Sequence, residues 1–171
     1  ELEPDAISWA KGMGGGFPIG SFWSSDRAID DAGTTLSSVL GAKSHGSTYG
    51  GNPLACAASI AVLTEIKESN LCQNAKDQEQ RIRETITSWN SEAITAVRGK
   101  GLLLGIALSP DAAVFQNLPE GHTPALSLVI KLNEKGLLTV PAGANTLRLL
   151  PPLNVTNEEV DQALALIKKV V

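Results

Sequence analysis

Ser8-Trp9-Ala10-Lys11-Gly12-Met13-Gly14-Gly15-Gly16-Phe17-Pro18-Ile19-Gly20 sets one lysine between a short apolar run and a cluster of glycines. Ala6, Ile7, Trp9 and Ala10 predict a buried strand, fed by the turn Pro4-Asp5. A lysine at the end of such a strand is an unusual choice for a core. Burial disfavours the ammonium form and leaves the neutral amine available as a nucleophile. A Schiff-base lysine needs that state. The same residues also fit a surface lysine beside a glycine-rich turn. Two phosphate-loop readings fail on the order of residues. A Walker loop carries its Lys and a Ser/Thr after the last glycine, whereas Lys11 precedes the glycines and Phe17-Pro18 follows them. No Gly-x-Gly-x-x-Gly opens a helix after a strand, so the dinucleotide fingerprint is excluded too.

The rest of the chain supplies a core and no bulk charge signal. Of 171 residues, 43% are hydrophobic and 19% charged, which is the composition of a soluble globular protein whose length alone fits one domain. The net charge of −4 is spread without long runs, so neither a nucleic-acid nor a membrane-surface partner is expected. Apolar runs are too short to span a bilayer, and Glu1-Leu2-Glu3-Pro4 does not read as a signal peptide. Cys56 and Cys72 lack metal-ligand spacing, so no metal site is expected; they read as small core residues of a reduced, cytoplasmic protein. A chain that enters a strand this early reads as the C-terminal part of a longer protein.

The order of elements is that of an α/β chain. A second strand is expected over Ile19 to Trp23, helical spacing over Asp26 to Asp31, and a loop over Gly33 to Ser44 with a short helix around Leu36 to Leu40. Asn52 and Pro53 predict an N-cap and a first helical residue for a helix to Glu68, and Cys72 to Trp89 predicts a second, amphipathic helix. Strands are expected at Ile94 to Val97 and Leu102 to Leu108, joined by a loop Arg98-Gly99-Lys100-Gly101. Pro110 to Pro124 reads as an irregular connection and Ala125 to Lys135 as a helix ended by Gly136. Strands at Leu137 to Val140 and Leu147 to Leu150 flank a turn. The last helix opens on the capping box Thr156-Asn157-Glu158-Glu159.

Three further windows carry chemistry. His45-Gly46-Ser47-Thr48-Tyr49-Gly50-Gly51-Asn52-Pro53 joins two hydroxyls and flexible glycines to a helix N-terminus, which suits a phosphate, although an ordinary helix entry reads the same way. His45 is a weak candidate for a catalytic base. Arg148 lies in Thr146-Leu147-Arg148-Leu149-Leu150-Pro151-Pro152, where a guanidinium among apolar neighbours can bind a carboxylate bidentately or face outward from a half-buried strand. Arg98 is weaker evidence, being read as part of a loop.

Taken together these windows resemble the class III pyridoxal-phosphate aminotransferases, and the similarity covers nearly the whole chain. Ala10-Lys11-Gly12 with Gly14 to Gly20 is similar to the family's cofactor-lysine signature, and His45 to Pro53 to its phosphate-contacting loop. Val97 to Leu102 and Leu147 to Leu153 are similar to its two C-terminal signatures. Within the family the windows are most similar to the branch acting on N-acetylornithine, with the ornithine branch as near neighbour. The resemblance implies the C-terminal part of a fold-type I transferase: residues 1–68 as the end of the large cofactor domain and 69–171 as the small α/β domain. It implies that Lys11 forms the Schiff base with pyridoxal 5′-phosphate and moves the substrate proton. Thr48 is implied to bind the phosphate of the cofactor held by the other subunit of a homodimer. Ser47 is implied to lie near the substrate, and Arg148 to hold the α-carboxylate of the amino-acid and 2-oxo-acid substrates. The implied reaction is ping-pong transfer of the terminal amino group of N-acetylornithine, or a related ω-amino acid, to 2-oxoglutarate in arginine metabolism. The family's partner for the pyridine nitrogen lies upstream of Glu1, so these residues alone are expected to be inactive. One departure stands out: Asp30 to Ser44 is longer than the family's usual spacing. A different class of reading, a cofactor-free fragment with a scaffolding or dimer-forming role, fits the alternating pattern of the C-terminal half.

Overall fold

In the computed structural model, which describes residues 3–41, 44 and 46–171, the strand ahead of Lys11 spans Ala6–Trp9 (β1). It pairs antiparallel with Ser21–Ser24 (β2), Ile7 opposite Trp23 and Trp9 opposite Ser21. The chain divides into two units, Glu1–Glu68 and Ser69–Val171. In the first, the expected burial of β1 is corrected. Trp9 and Trp23 are 45% and 46% exposed, because the sheet here is a two-stranded ribbon.

The helical spacing of Asp26 to Asp31 does not become a helix. The Asp30 carboxylate accepts the N–H groups of Ala32 at 3.0 Å and Thr34 at 2.9 Å. A short acidic side chain that binds nearby amides competes with the helix for them. Leu36–Val39 (α1) forms where the sequence places it, closed by a reciprocal Thr35–Ser38 capping box. Pro53–Glu68 (α2) also starts as predicted, with Asn52 Oδ1 accepting from the amides of Leu54 at 2.9 Å and Ala55 at 3.3 Å. The buried described residues of this unit are small: Gly14, Ser25, Ala55 and Ser59. Leu54, Ile60 and Leu63 of α2 stay exposed. Cys56 and Cys72 are exposed free thiols, which corrects their assignment to a core; on these helices they fall on the open faces.

The second unit has a closed core. Leu71–Ser88 (α3) leads to an antiparallel sheet of Ile94–Lys100 (β3), Leu103–Leu108 (β4), Val140–Pro141 (β5) and Thr146–Leu149 (β6), in the order β3-β4-β6-β5. Pro124–Glu134 (α4) and Asn157–Lys168 (α5) complete it. Thr123 caps α4, and the predicted Thr156–Glu159 box caps α5. Leu104, Ile106 and Leu108 share one face of β4, and Leu147 stands opposite Ile106 on β6. Against that face close Ile82 and Ile86 of α3, Leu128 and Leu132 of α4, and Leu164 and Ile167 of α5.

Two boundaries differ from the sequence reading. β5 is shorter than expected because Leu137 ends α4 instead of starting a strand. Its N–H bonds to the Leu132 carbonyl at 2.9 Å, with Gly136 in the left-handed region. The expected loop Arg98-Gly99-Lys100-Gly101 is mostly strand: Arg98 pairs with Gly105 and Lys100 with Leu103, leaving Gly101-Leu102 as the turn. The cause lies on α3. Arg83 donates to the carbonyls of Val97 and Gly99, and Glu79 accepts the Gly101 N–H and pairs with Arg83 at 3.0 Å. These bonds extend the hairpin to its tip. The Gly101 amide, and then Arg83, hold the Glu79 carboxyl below its ordinary pKa.

Candidate active site

Lys11 leaves the end of β1 at the head of a 3₁₀ turn, Lys11–Gly14, in the left-handed region at φ 55. A lysine rarely adopts that conformation, and strained backbone of this kind gathers at functional positions. Its side chain is exposed, which corrects the burial argued from the strand, and it makes no ion pair or hydrogen bond with a described residue. The glycines after it divide into two groups. A Cβ at Gly14 would lie 2.7 Å from Ile19 Cγ2, and one at Gly15 would lie 2.9 Å from Val62 Cγ2. These two exist to pack the turn against its own unit. A Cβ at Gly12, beside the lysine, meets nothing within 4 Å, so the ground around the amine is open.

In the turn before α2, Ser47 accepts the Tyr49 amide at 3.3 Å through its hydroxyl and the Gly50 amide at 3.0 Å through its carbonyl. Asn52 occupies the Leu54 and Ala55 amides. The donors expected from the helix N-terminus are therefore largely in use. Thr48 differs: it is exposed, and its hydroxyl has no partner among the described residues. His45 lies outside the described residues. A cavity of about 850 Å³ in this unit is bounded by Phe17, Ile19, Ser47, Gly51, Ser59 and Leu63, and the buried Ser59 Oγ has no described partner. Ser47 lines this cavity; Lys11 and Thr48 are not among its walls.

Arg148 sits on β6, paired with Gly105 on one side and Val140 on the other. Leu147 beside it is fully buried, so Arg148 projects from the opposite face of the sheet. It is half-buried, and its Nε is shielded from solvent without a described partner. It borders a largely apolar cavity of about 590 Å³ with Leu138, Thr139, Val140, Leu150 and Glu159 among its walls. Glu159 is engaged by the backbone and hydroxyl of Thr156. A guanidinium in that setting is suited to a carboxylate.

Lys11, Ser47 and Thr48 thus belong to the first unit and Arg148 to the second. Arg98 lies on β3 in the same cross-strand row as Arg148, a placement that only the pairing register reveals. Among the described residues no group of three metal-ligating side chains gathers, and no helix is long and apolar enough to cross a membrane.

Comparison with known proteins bears on all of these windows at once. The family model for aminotransferase class-III matches residues 1–171. An acetylornithine aminotransferase from Vibrio vulnificus is 37% identical over 172 residues, covering 99% of this chain and 38% of its own length. The chain thus spans well under half of that relative. The solved acetylornithine aminotransferase of Elizabethkingia anophelis matches with a TM-score of 0.80 and 31% identity, over 99% of this chain and 41% of that one. The ornithine aminotransferase of Toxoplasma gondii, solved with partial occupancy of PLP at its active site, matches with a TM-score of 0.80 and 30% identity, over 99% and 37%.

Proposed function

We propose a function from a fixed premise: the chain belongs to the class III aminotransferase family. The family is pyridoxal-phosphate-dependent, and the residues present suit that group. An unpaired lysine stands on open ground, and an unpaired threonine hydroxyl stands in a turn ahead of a helix. In this reading residues 1–68 are the end of the cofactor-binding domain and 69–171 the small domain. Lys11 and Thr48 hold the cofactor, Thr48 by donating to the phosphate of the group carried by the partner subunit. When bound, pyridoxal phosphate supplies the electron-withdrawing ring that stabilises charge at a carbon losing a proton.

The chain's own residues do the rest. Lys11 Nζ, once free, takes the proton from the amino-bearing carbon of the substrate and returns it as general acid. The amine is exposed and is not locked by any described partner, which leaves it free to move. Arg148 binds the α-carboxylate of each substrate in turn. Ser47 stands by the substrate. The exposed Trp9, Phe22, Leu54 and Ile60 suit coverage by a partner subunit in a homodimer. N-acetylornithine as amino donor and 2-oxoglutarate as acceptor, in a ping-pong reaction of arginine metabolism in the cytoplasm, is the assignment that the similarity to acetylornithine aminotransferases supports best. Ornithine is the alternative donor.

The unpaired, left-handed Lys11 carries this reading. Its test is borohydride reduction in the presence of pyridoxal phosphate, followed by peptide mapping. The reduced adduct is expected on Lys11 and absent from Lys11→Arg. An adduct on any other lysine refutes the assignment. Rates with N-acetylornithine, ornithine, succinylornithine and 4-aminobutyrate then identify the donor.

A further inference from the structure

Three polar side chains lie along one face of α3. Asn74, Gln78 and Arg81 stand four and then three positions apart, the spacing that makes side chains neighbours on a helix. All three bond to the segment that follows β6. Arg81 Nε donates to Asp161 Oδ1 of α5 at 2.8 Å. Gln78 Nε2 donates to Asn157 Oδ1, at the start of α5, at 2.7 Å. Asn74 Nδ2 donates to the carbonyls of Leu153 at 2.7 Å and Val155 at 3.1 Å. Gln78 Nε2 also donates to Asn74 Oδ1, at 3.3 Å, and so links two rungs of this ladder.

Packing alone does not account for Gln78. It is 4% exposed, and its Oε1 is buried without a described partner. A buried unpaired acceptor has a cost that an apolar side chain of similar length avoids. What the glutamine supplies is a donor to Asn74 Oδ1. With that oxygen engaged, the Asn74 amide turns its N–H groups to the loop carbonyls; rotated by half a turn, it would set oxygen against oxygen. The two bonds to Leu153 and Val155 pin a stretch, 150–155, that begins two residues after Arg148. Leu150, Pro151, Pro152 and Val155 wall the cavity of about 590 Å³ that Arg148 borders, and α5 adds Glu159. Loop and helix, both held from α3, thus bound the space beside Arg148, whose Nε is shielded from solvent.

We propose that Asn74 and Gln78 are positioning residues for Arg148. Asn74 ties the 150–155 stretch to α3, and Gln78 sets the direction of the Asn74 amide. Neither touches a substrate. They act by holding the cavity wall that keeps water from Arg148 Nε, so that the guanidinium meets its ligand from a fixed and partly dry position. The role matters to the reaction only through the reading of Arg148 as the group that holds a substrate carboxylate, on which it rests.

The experiment is hydrogen exchange of the Arg148 Nε–H, followed by nuclear magnetic resonance of the isotope-labelled chain. Asn74→Asp keeps the shape of the side chain and loses both donors. Gln78→Met keeps the length and loses the donor to Asn74. Each should speed exchange at Arg148 Nε about tenfold, the factor that one lost hydrogen bond of ordinary strength gives. The backbone amide of Ile106, fully buried on the central strand β4, should keep its rate. Unchanged exchange at Arg148 Nε in both variants overturns the proposal. Equal acceleration at Ile106 overturns it too, because it marks a general loss of stability. An effect of Asn74→Asp alone overturns the part given to Gln78. Titration with valerate tests the underlying reading separately. Both variants should weaken valerate binding, and Arg148→Gln should weaken it most. If Arg148→Gln binds valerate as the unaltered chain does, the carboxylate reading of Arg148 fails, and the exchange rates alone decide the positioning role.

Discussion

Gly99 is the position where a single methyl group should cost the second unit most. Its φ is +113, and a Cβ there would lie 2.0 Å from the Leu103 carbonyl oxygen and 3.1 Å from Leu104 Cα. Both neighbours are backbone atoms of the paired strand, so neither can rotate aside. Forcing alanine into that conformation costs about 1–3 kcal/mol. Relieving the contact requires the hairpin to open and loosens the Arg83 bonds to Val97 and Gly99, which adds about 1–3 kcal/mol by analogy with overpacking. The combined loss is about 2–6 kcal/mol, against a typical total of about 5–15 kcal/mol. At the middle of that range, about 4 kcal/mol, the thermal midpoint of a unit of this size falls by roughly 16–32 °C. Gly101 is the internal control. It is also left-handed, at φ 55, but a Cβ there meets only Ala75 Cβ at 3.8 Å. Gly101→Ala should therefore carry the conformational cost alone, about 1–2 kcal/mol. Thermal unfolding followed by far-ultraviolet circular dichroism separates the two variants. Equal shifts in both, or a Gly99→Ala midpoint near that of the unaltered chain, would refute the close approach of Leu103 as the reason for the glycine.

Acid should act on the same hairpin. Glu79 is held below its ordinary pKa by the Gly101 amide and Arg83, and Asp161 by Arg81. A depressed carboxyl contributes stability that is complete above its unfolded value, about 4.3 for Glu and 3.9 for Asp, and is lost as pH falls through the lower folded value. The urea midpoint should stay level from neutrality to about pH 5 and then fall. Glu79→Gln should make that acid limb shallower, and an unchanged limb would remove Glu79 from the account. Leu147 is fully buried beside Arg148. Leu147→Ala should lower stability by about 2–5 kcal/mol in urea denaturation, and a loss below about 1 kcal/mol would show that the core closes without it.

Features set by neighbouring residues were legible in the sequence. Asn52 with Pro53, Thr156 with Glu159, and Gly136 each act within a turn of the helix end they define, so the residue types alone place α2, α5 and the end of α4. The failures came where a competing local bond or the number of neighbouring strands decides. The Asp26 to Asp31 spacing is helical, yet Asp30 binds the amides of Ala32 and Thr34 and draws the segment into a turn. Lys11 follows a run of apolar residues, yet strand burial depends on how many neighbours the strand has. β1 has one.

Arg98 shows why the hairpin around it was read only in part. Arg98-Gly99-Lys100-Gly101 carries two glycines and two cations, a composition that describes a loop as well as a hairpin tip. Glu79 and Arg83, more than a dozen positions earlier, decide between them by binding the backbone of Val97, Gly99 and Gly101. Once those bonds set the register, Arg98 must face the same way as Gly105 and Arg148. A slip of one residue would turn it into the core. The facing of Arg98 thus follows from a structural contact made by α3. Weakening the clamp by Glu79→Gln should therefore loosen the hairpin tip and speed amide hydrogen exchange at Gly101, and unchanged exchange there would remove the clamp as the cause of the register.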